Sequence, residues 1–188
     1  MALQLRWPLA RRPPSARSAE RELIRLARLP PTRDRLRQLD KLTTVLLEAG
    51  ASAGPPKAGS VGDGRWAVVH TKGPLLWRTL SGRGEASQEF DPASSTVVSR
   101  AVLAGGALAA RASGTYTPDP SSGPCTLAVT VTRVELLPGP ILAGGRDEDE
   151  LPRLSLPLGG TGRVDVAYAG DRVRVLKGSG GWAVQARE

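Results

Sequence analysis

The chain has one histidine, His70, and one cysteine, Cys125, and these two side chains bound the chemistry available to it. A single histidine excludes a multi-histidine metal centre, and a single cysteine excludes CxxC zinc or redox chemistry and any internal disulfide. Paired across strands, His70 and Cys125 would be the base and nucleophile of a thiol catalyst. Both lie in strand-like or hairpin segments rather than on a sharp nucleophile-presenting turn, so Cys125 is expected to be a small buried hydrophobe. Glu85, Glu89 and Asp91 lack a partner base and read as solvated surface. The glycine clusters Gly62-x-Gly64, Gly82-x-Gly84, Gly159-Gly160-x-Gly162 and Gly178-x-Gly180-Gly181 lack the strand-to-helix context or the Lys-Ser/Thr ending of a phosphate cradle. They are expected to be hairpin turns. No catalytic residue, metal ligand or cofactor is assigned.

The remaining chemistry is that of enclosure. From residue 65 onward, short apolar-polar alternations recur between turn residues, at 65–71, 75–80, 86–90, 96–103, 107–117, 126–137, then, led into by 154–157, at 160–168, 172–178 and 182–187. About nine such strands make a sandwich or a barrel. In the longest, Leu127, Val129 and Val131 share one parity while Val134 and Leu136 fall on the other; a bulge near Thr132-Arg133 would keep all five inside and bend the strand around a barrel corner. The expected fold is therefore all-β, a lipocalin-like antiparallel barrel of eight to nine strands. In 160–168, Val164, Val166 and Tyr168 point one way. Val173 and Val175 oppose Arg174, and Trp182 shares a face with Val184.

A barrel of this size holds one small ligand between aliphatic walls and a few polar groups. Trp66, Trp77, Val129, Tyr168 and Trp182 are the candidate wall, and Thr71 and Arg174 the candidate polar handles. The tryptophans serve equally as core plugs, and small interior side chains make either a tight barrel or a cavity.

Two amphipathic helices precede the strands. Leu23, Ile24, Leu26 and Ala27 share a side of the first, stopped by Pro30-Pro31; Thr32 caps a second that carries Leu36, Leu39, Leu42, Val45 and Leu46 and ends at Gly50. Their apolar stripes suit docking on the protein's own core. Arg25, Arg28, Arg33, Arg35, Arg37 and Lys41 form a cationic outer face able to approach anionic lipid. Loop 138–152, with its acidic run from Asp147 to Glu150, reads as a mobile surface connection or, alternatively, a lid.

The formal charge of +8 is uneven: residues 1–48 hold 11 Arg/Lys against 5 Asp/Glu, the remainder 15 against 13. A nearly neutral β region argues against nucleic acid as a partner. The longest uncharged apolar stretch, 101–110, is far below the ~20 residues of a membrane-spanning helix. Residues 1–19 carry Arg6, Arg11, Arg12 and Arg17 and no acid, the composition of an organelle transit peptide or of a disordered basic tail.

The C-terminal stretch LPLGGTGRVDVAYAGDRVRVLKGSGGWAVQARE resembles the signature of the plastid lipid-associated protein family, also called fibrillins. That signature runs leucine-proline, glycines, Asp-x-x-Tyr, a basic-aliphatic strand and an apolar terminal strand. Residues 64–71, GRWAVVHT, are similar to the family's first strand, and Gln88, Phe90, the strand at 97–102 and the following glycine-rich hairpin keep its order. The resemblance spans residues 20–187. The chain differs at His70, where the family usually has tyrosine, at Gly170, where an aspartate often follows the tyrosine, and at Ser99, near a position that is often asparagine. The resemblance implies a non-catalytic protein of plastids, imported through residues 1–19, with residues 20–188 as the family domain. Such a protein binds or carries a hydrophobic isoprenoid or acyl molecule at plastoglobules or thylakoid membranes. It also leaves open a structural coat of lipid bodies or a scaffold for an isoprenoid or quinone biosynthetic enzyme.

Overall fold

The computed structural model describes residues 15–54, 64–73, 86–157 and 160–188; the expected strand at 75–80, with Trp77, and residues 1–14 lie outside them. Two helices come first. In α1 (Ala16–Ala27) the Ser15 hydroxyl accepts the Ser18 amide, and in α2 (Arg33–Ala53) the Thr32 hydroxyl accepts the Arg35 amide, the cap that Thr32 offers on sequence. Helix α1 thus begins inside the basic stretch 1–19 and buries Ala19 completely. Helix α2 does not end at Gly50 but runs through it. A Cβ at Gly50 would run into the Ala167 carbonyl oxygen, so this glycine serves the close approach of helix to sheet rather than a stop.

The strands are β1 (Gly64–Lys72), β2 (Ala86–Asp91), β3 (Thr96–Leu103), β4 (Leu108–Pro118), β5 (Thr126–Pro138), β6 (Leu154–Leu156), β7 (Gly160–Ala169), β8 (Val173–Gly178) and β9 (Gly181–Arg187). They pair antiparallel in the order β4-β3-β2-β1-β9-β8-β7-β5-β6, and β4 also pairs with β5. Eight strands therefore close into a barrel, and β6 is an extra strand along the second half of β5, beyond the stretch that β7 occupies. This is the expected antiparallel barrel preceded by two helices.

Bulges decide which side chains look inward. In β5, Ser113 faces Arg133 while Gly114 faces Val131, leaving Thr132 as the extra residue the sequence requires there. Val129 then faces Tyr116 and Val134 faces Ala112, so the valines on both sides of the bulge share the inner face. A bulge at Ala167 of β7 corrects the expected alternation: Val166 faces Leu176, but Tyr168 faces Val175 and turns to the opposite side from Val164 and Val166.

Two apolar layers result. Inside the barrel, Phe90, Val97, Tyr116, Leu127, Val166 and Leu176, from six strands, pack together. Outside it, Val173, Val175 and Val184 of β8 and β9 receive Leu23, Leu26, Leu39 and Leu46 of the helices. Because β8 and β9 are covered on both faces, residues 173–176 and 184–186 are all buried. Burying aliphatic side chains contributes about 1.5–3 kcal/mol each, so the helical layer is part of the fold and not an appendage.

Segment 138–152 is not a loose connection. It forms a short helix, α3 (Pro140–Ala143), and a 3-10 turn at Glu148–Glu150; Ala143 and Leu151 close over Leu137 and Ala109 on the outer wall. Glu148 reaches Arg100 and Arg111, and Arg153 reaches Glu135 and Asp149, so the acidic run lies against arginines of β3 and β4.

Candidate functional site

At one end of the barrel the interior is filled. Arg174 of β8, wholly buried, lies with its guanidinium carbon 4.3 Å from the Trp66 ring centroid and 4.5 Å from that of Phe90. Phe90 in turn meets the Tyr116 ring edge-on at 5.2 Å. A guanidinium over two aromatic rings is a cation–π arrangement, worth most where water is excluded. Burial depresses the Arg174 pKa to about 9, which leaves the cation charged at neutral pH.

From this floor a chain of side-chain hydrogen bonds crosses the inner surface. Arg174 Nε donates to Gln185 Oε1 at 2.6 Å, Gln185 Nε2 to Gln88 Oε1 at 2.6 Å, and Gln88 Nε2 to Ser99 Oγ at 3.0 Å. Four strands, β8, β9, β2 and β3, supply one link each.

Beyond that chain small residues alternate with the inward Leu103, Leu108 and Leu136. Register places Ala86, Ala101 and Ala110 side by side, then Ser99 beside Ala112, and Thr71 opposite Ala183. Gly162 faces Val129 and Gly160 faces Val131, so both glycines look inward; a Cβ built at either meets nothing within 4 Å. These two glycines are strand residues, not the turn expected of them. The inward Val129, Val131 and Ser99 are only half-buried although they line the interior. Leu154 and Leu156, in register with Leu136 and Val134, are 59% and 40% exposed on that same inner face. The described barrel is thus packed at the Trp66 end and roomy at the Gly160 end.

The expected site residues divide accordingly. Trp66, Val129, Arg174 and Thr71 lie on the inner face, Trp66 and Arg174 as floor, Val129 as wall, Thr71 toward the roomy end. Tyr168 and Trp182 do not join them. Both pack on the outer face beneath the helices: Tyr168 donates its phenolic hydrogen to Glu20 of α1 at 2.7 Å, and Trp182 meets His70 edge-on at 5.1 Å. Trp77 lies outside the described residues.

His70 and Cys125 are separated by the barrel wall. The His70 Nε2 contacts Asp40 Oδ1 of α2 at 3.0 Å on the outer face, whereas Cys125 packs on the inner cluster, where burial pushes its thiol pKa up. An outer histidine tied to a helix and a thiol disfavouring its thiolate make no nucleophile pair. Among the described residues no three His, Cys, Asp or Glu side chains gather as a metal site.

The sequence reading gave Gln88 and Ser99 only as positions of the family pattern, not as site residues, and did not single out Gln185. Their polar character argued for outward positions, but the outer faces of β8 and β9 are taken by Val173, Val175, Val184 and the helices, which forces Arg174 and Gln185 inward. Two apolar helix stripes needing a sheet face were the signal that could have revealed this.

A groove of about 1180 Å³ also runs along the outside of the barrel, between the helices and segment 138–151, with Leu26, Leu39, His70, Arg100 and Leu151 on its walls. Gly73 and Ala86 also border it.

Fold and interior together define a closed eight-stranded antiparallel barrel with an aromatic-arginine floor and an accessible inner surface. No family model matches the chain, and neither a curated protein nor a solved structure is significantly similar to it.

Proposed function

We propose that the protein is a non-catalytic carrier that holds one small, largely apolar molecule in the roomy half of its barrel. The observation that carries this reading is the pair of inward glycines, Gly160 and Gly162, facing open space opposite Val131 and Val129. Both glycines are solvent-exposed, so the space they border is open rather than close-packed. A mainly apolar inner wall with a few convergent polar groups is the composition of a ligand pocket. An isoprenoid or acyl chain fits it. Plastid residence at plastoglobules or thylakoids is part of the proposal and rests on the C-terminal and Gly64–Thr71 resemblance. The binding half is tested by Val129→Trp, which fills the pocket. A fluorescent fatty-acid analogue should bind the native protein saturably and fail to bind the folded variant; unchanged saturable binding by the variant sinks the interior site. Import is tested with a reporter fused to residues 1–50, with and without residues 1–14, a deletion that leaves the Ser15 cap and Ala19 of α1 in place. Cytosolic signal from both contradicts it.

One observation favours contact with a lipid surface, as a coat or a docked carrier. Ile141 and Leu142 of α3 are 69% and 57% exposed. Cationic α2 side chains such as Arg33 and Arg37 are exposed elsewhere. Vesicle flotation of Ile141→Ser/Leu142→Ser separates this from carriage: attachment should fall while probe binding persists.

A further inference from the structure

From the direction of the hydrogen-bond chain inside the barrel, we infer that the ligand carries a hydrogen-bond acceptor, an oxygen of carbonyl type, which the Ser99 hydroxyl engages. The inference rests on the reading of the barrel as ligand-binding. A guanidinium has donors and no acceptor. Because Arg174 Nε donates to Gln185, the atom receiving it must be the amide oxygen, and Gln185 then presents its NH2 to the next residue. The same logic turns Gln88, whose oxygen accepts from Gln185 and whose NH2 donates to Ser99 Oγ. One buried cation thereby fixes both amide orientations.

Every bond in the chain runs away from the positive charge, and successive bonds of one sense polarise each other. Ser99 accepts at its oxygen and keeps its own O–H to give; among the described residues no acceptor for it is present. Arg174 and Gln185 are 0% and 1% exposed, so the chain is anchored at its dry end, while Ser99 is half-buried on the inner face between Gln88 and Ala112. The terminal donor faces the roomy half of the barrel. A pure hydrocarbon seated there leaves this donor without a partner, whereas a ketone, quinone, ester or carboxylate oxygen satisfies it.

The test uses three pyrene-labelled twelve-carbon chains, ending in a methyl ketone, a carboxylate or a plain alkyl group, titrated by fluorescence into the full chain and into Ser99→Ala. The native protein should bind an oxygenated probe about fivefold or more tighter than the alkyl probe, as one hydrogen bond supplies. Whichever of ketone and carboxylate binds tighter identifies the neutral or the anionic source. Ser99→Ala, with unchanged melting midpoint, should lower affinity for the oxygenated probes to that of the alkyl probe. Gln88→Leu, which cuts the chain upstream, should shrink the same preference. Equal binding of all three probes by the native protein overturns the inference and leaves the pocket standing, and that comparison decides even where a variant does not fold. Preference retained in Ser99→Ala also overturns it. Failure of every probe to bind contradicts the underlying reading of the barrel as a carrier.

Discussion

The Arg174 guanidinium carbon lies over the Trp66 ring, 4.3 Å from its centroid, joining the penultimate strand of the barrel to the first. The same cation also lies over the Phe90 ring and bonds the Gln185 amide, so one side chain ties together four strands at the packed end. Arg174→Ala removes the stack, opens a cavity and leaves Gln185 without its donor. Thermal denaturation should show a loss of about 3–5 kcal/mol. Arg174→Lys should recover little of it, because an ammonium offers neither the plane nor the fork of a guanidinium. A Arg174→Ala protein melting with the native one would remove Arg174 from the interior.

The helical layer has its own lock. Tyr168, turned outward by the Ala167 bulge, bonds Glu20 of α1, and Gly170 stands so close to that pair that a Cβ there would overlap the carboxylate. Glu20 is 6% exposed, and burial raises its pKa above the ordinary carboxyl value more than the Tyr168 bond lowers it. The folded state therefore holds this proton to higher pH than the unfolded chain does. The stabilising contribution is complete below the ordinary carboxyl range and is lost as pH rises through the raised value. Melting curves of native protein and Glu20→Gln across pH 4 to 7 isolate the effect: the native midpoint should fall relative to the variant as pH rises. A native midpoint that gains on the variant with rising pH contradicts the assignment.

Gly50 sets two effects against each other. Alanine in a helix interior is favoured over glycine by about 1 kcal/mol. At this position the added Cβ meets the Ala167 carbonyl, and relieving such an overlap costs about 1–3 kcal/mol. Gly50→Ala should be destabilising in chemical denaturation. A stabilised variant would show that α2 does not approach β7 this closely.

The β framework was legible because period-2 alternation and turn residues are local signals; even the extra residue at Thr132 followed from the parity switch between Val131 and Val134. The bulge at Ala167 was not legible. The Gly50 backbone, far away in sequence, lies against that strand at Ala167, and no pattern within 160–169 records the approach. Tyr168 consequently moved from expected ligand wall to helix anchor. Trp182 followed for a related reason: aromatic side chains suit either face of a sheet covered on both sides, and the helices occupy its side. Arg174 was recognised as a handle only on the condition that it pointed inward, which depended on where the helices dock. Gln88, Ser99 and Gln185 had no local mark, since a polar residue on a strand reads as solvent-facing until both faces are known to be covered.

The central claim, that the barrel encloses a molecule in the half bordered by Gly160 and Gly162, is tested most directly by native mass spectrometry of the protein purified from its own compartment, beside Gly162→Leu. The account predicts one additional mass per native chain, extractable into organic solvent, and its loss from the folded variant, whose leucine fills the space opposite Val129. A native chain that carries no extra mass and takes up none from added lipid, or a variant that retains the same mass, would contradict it.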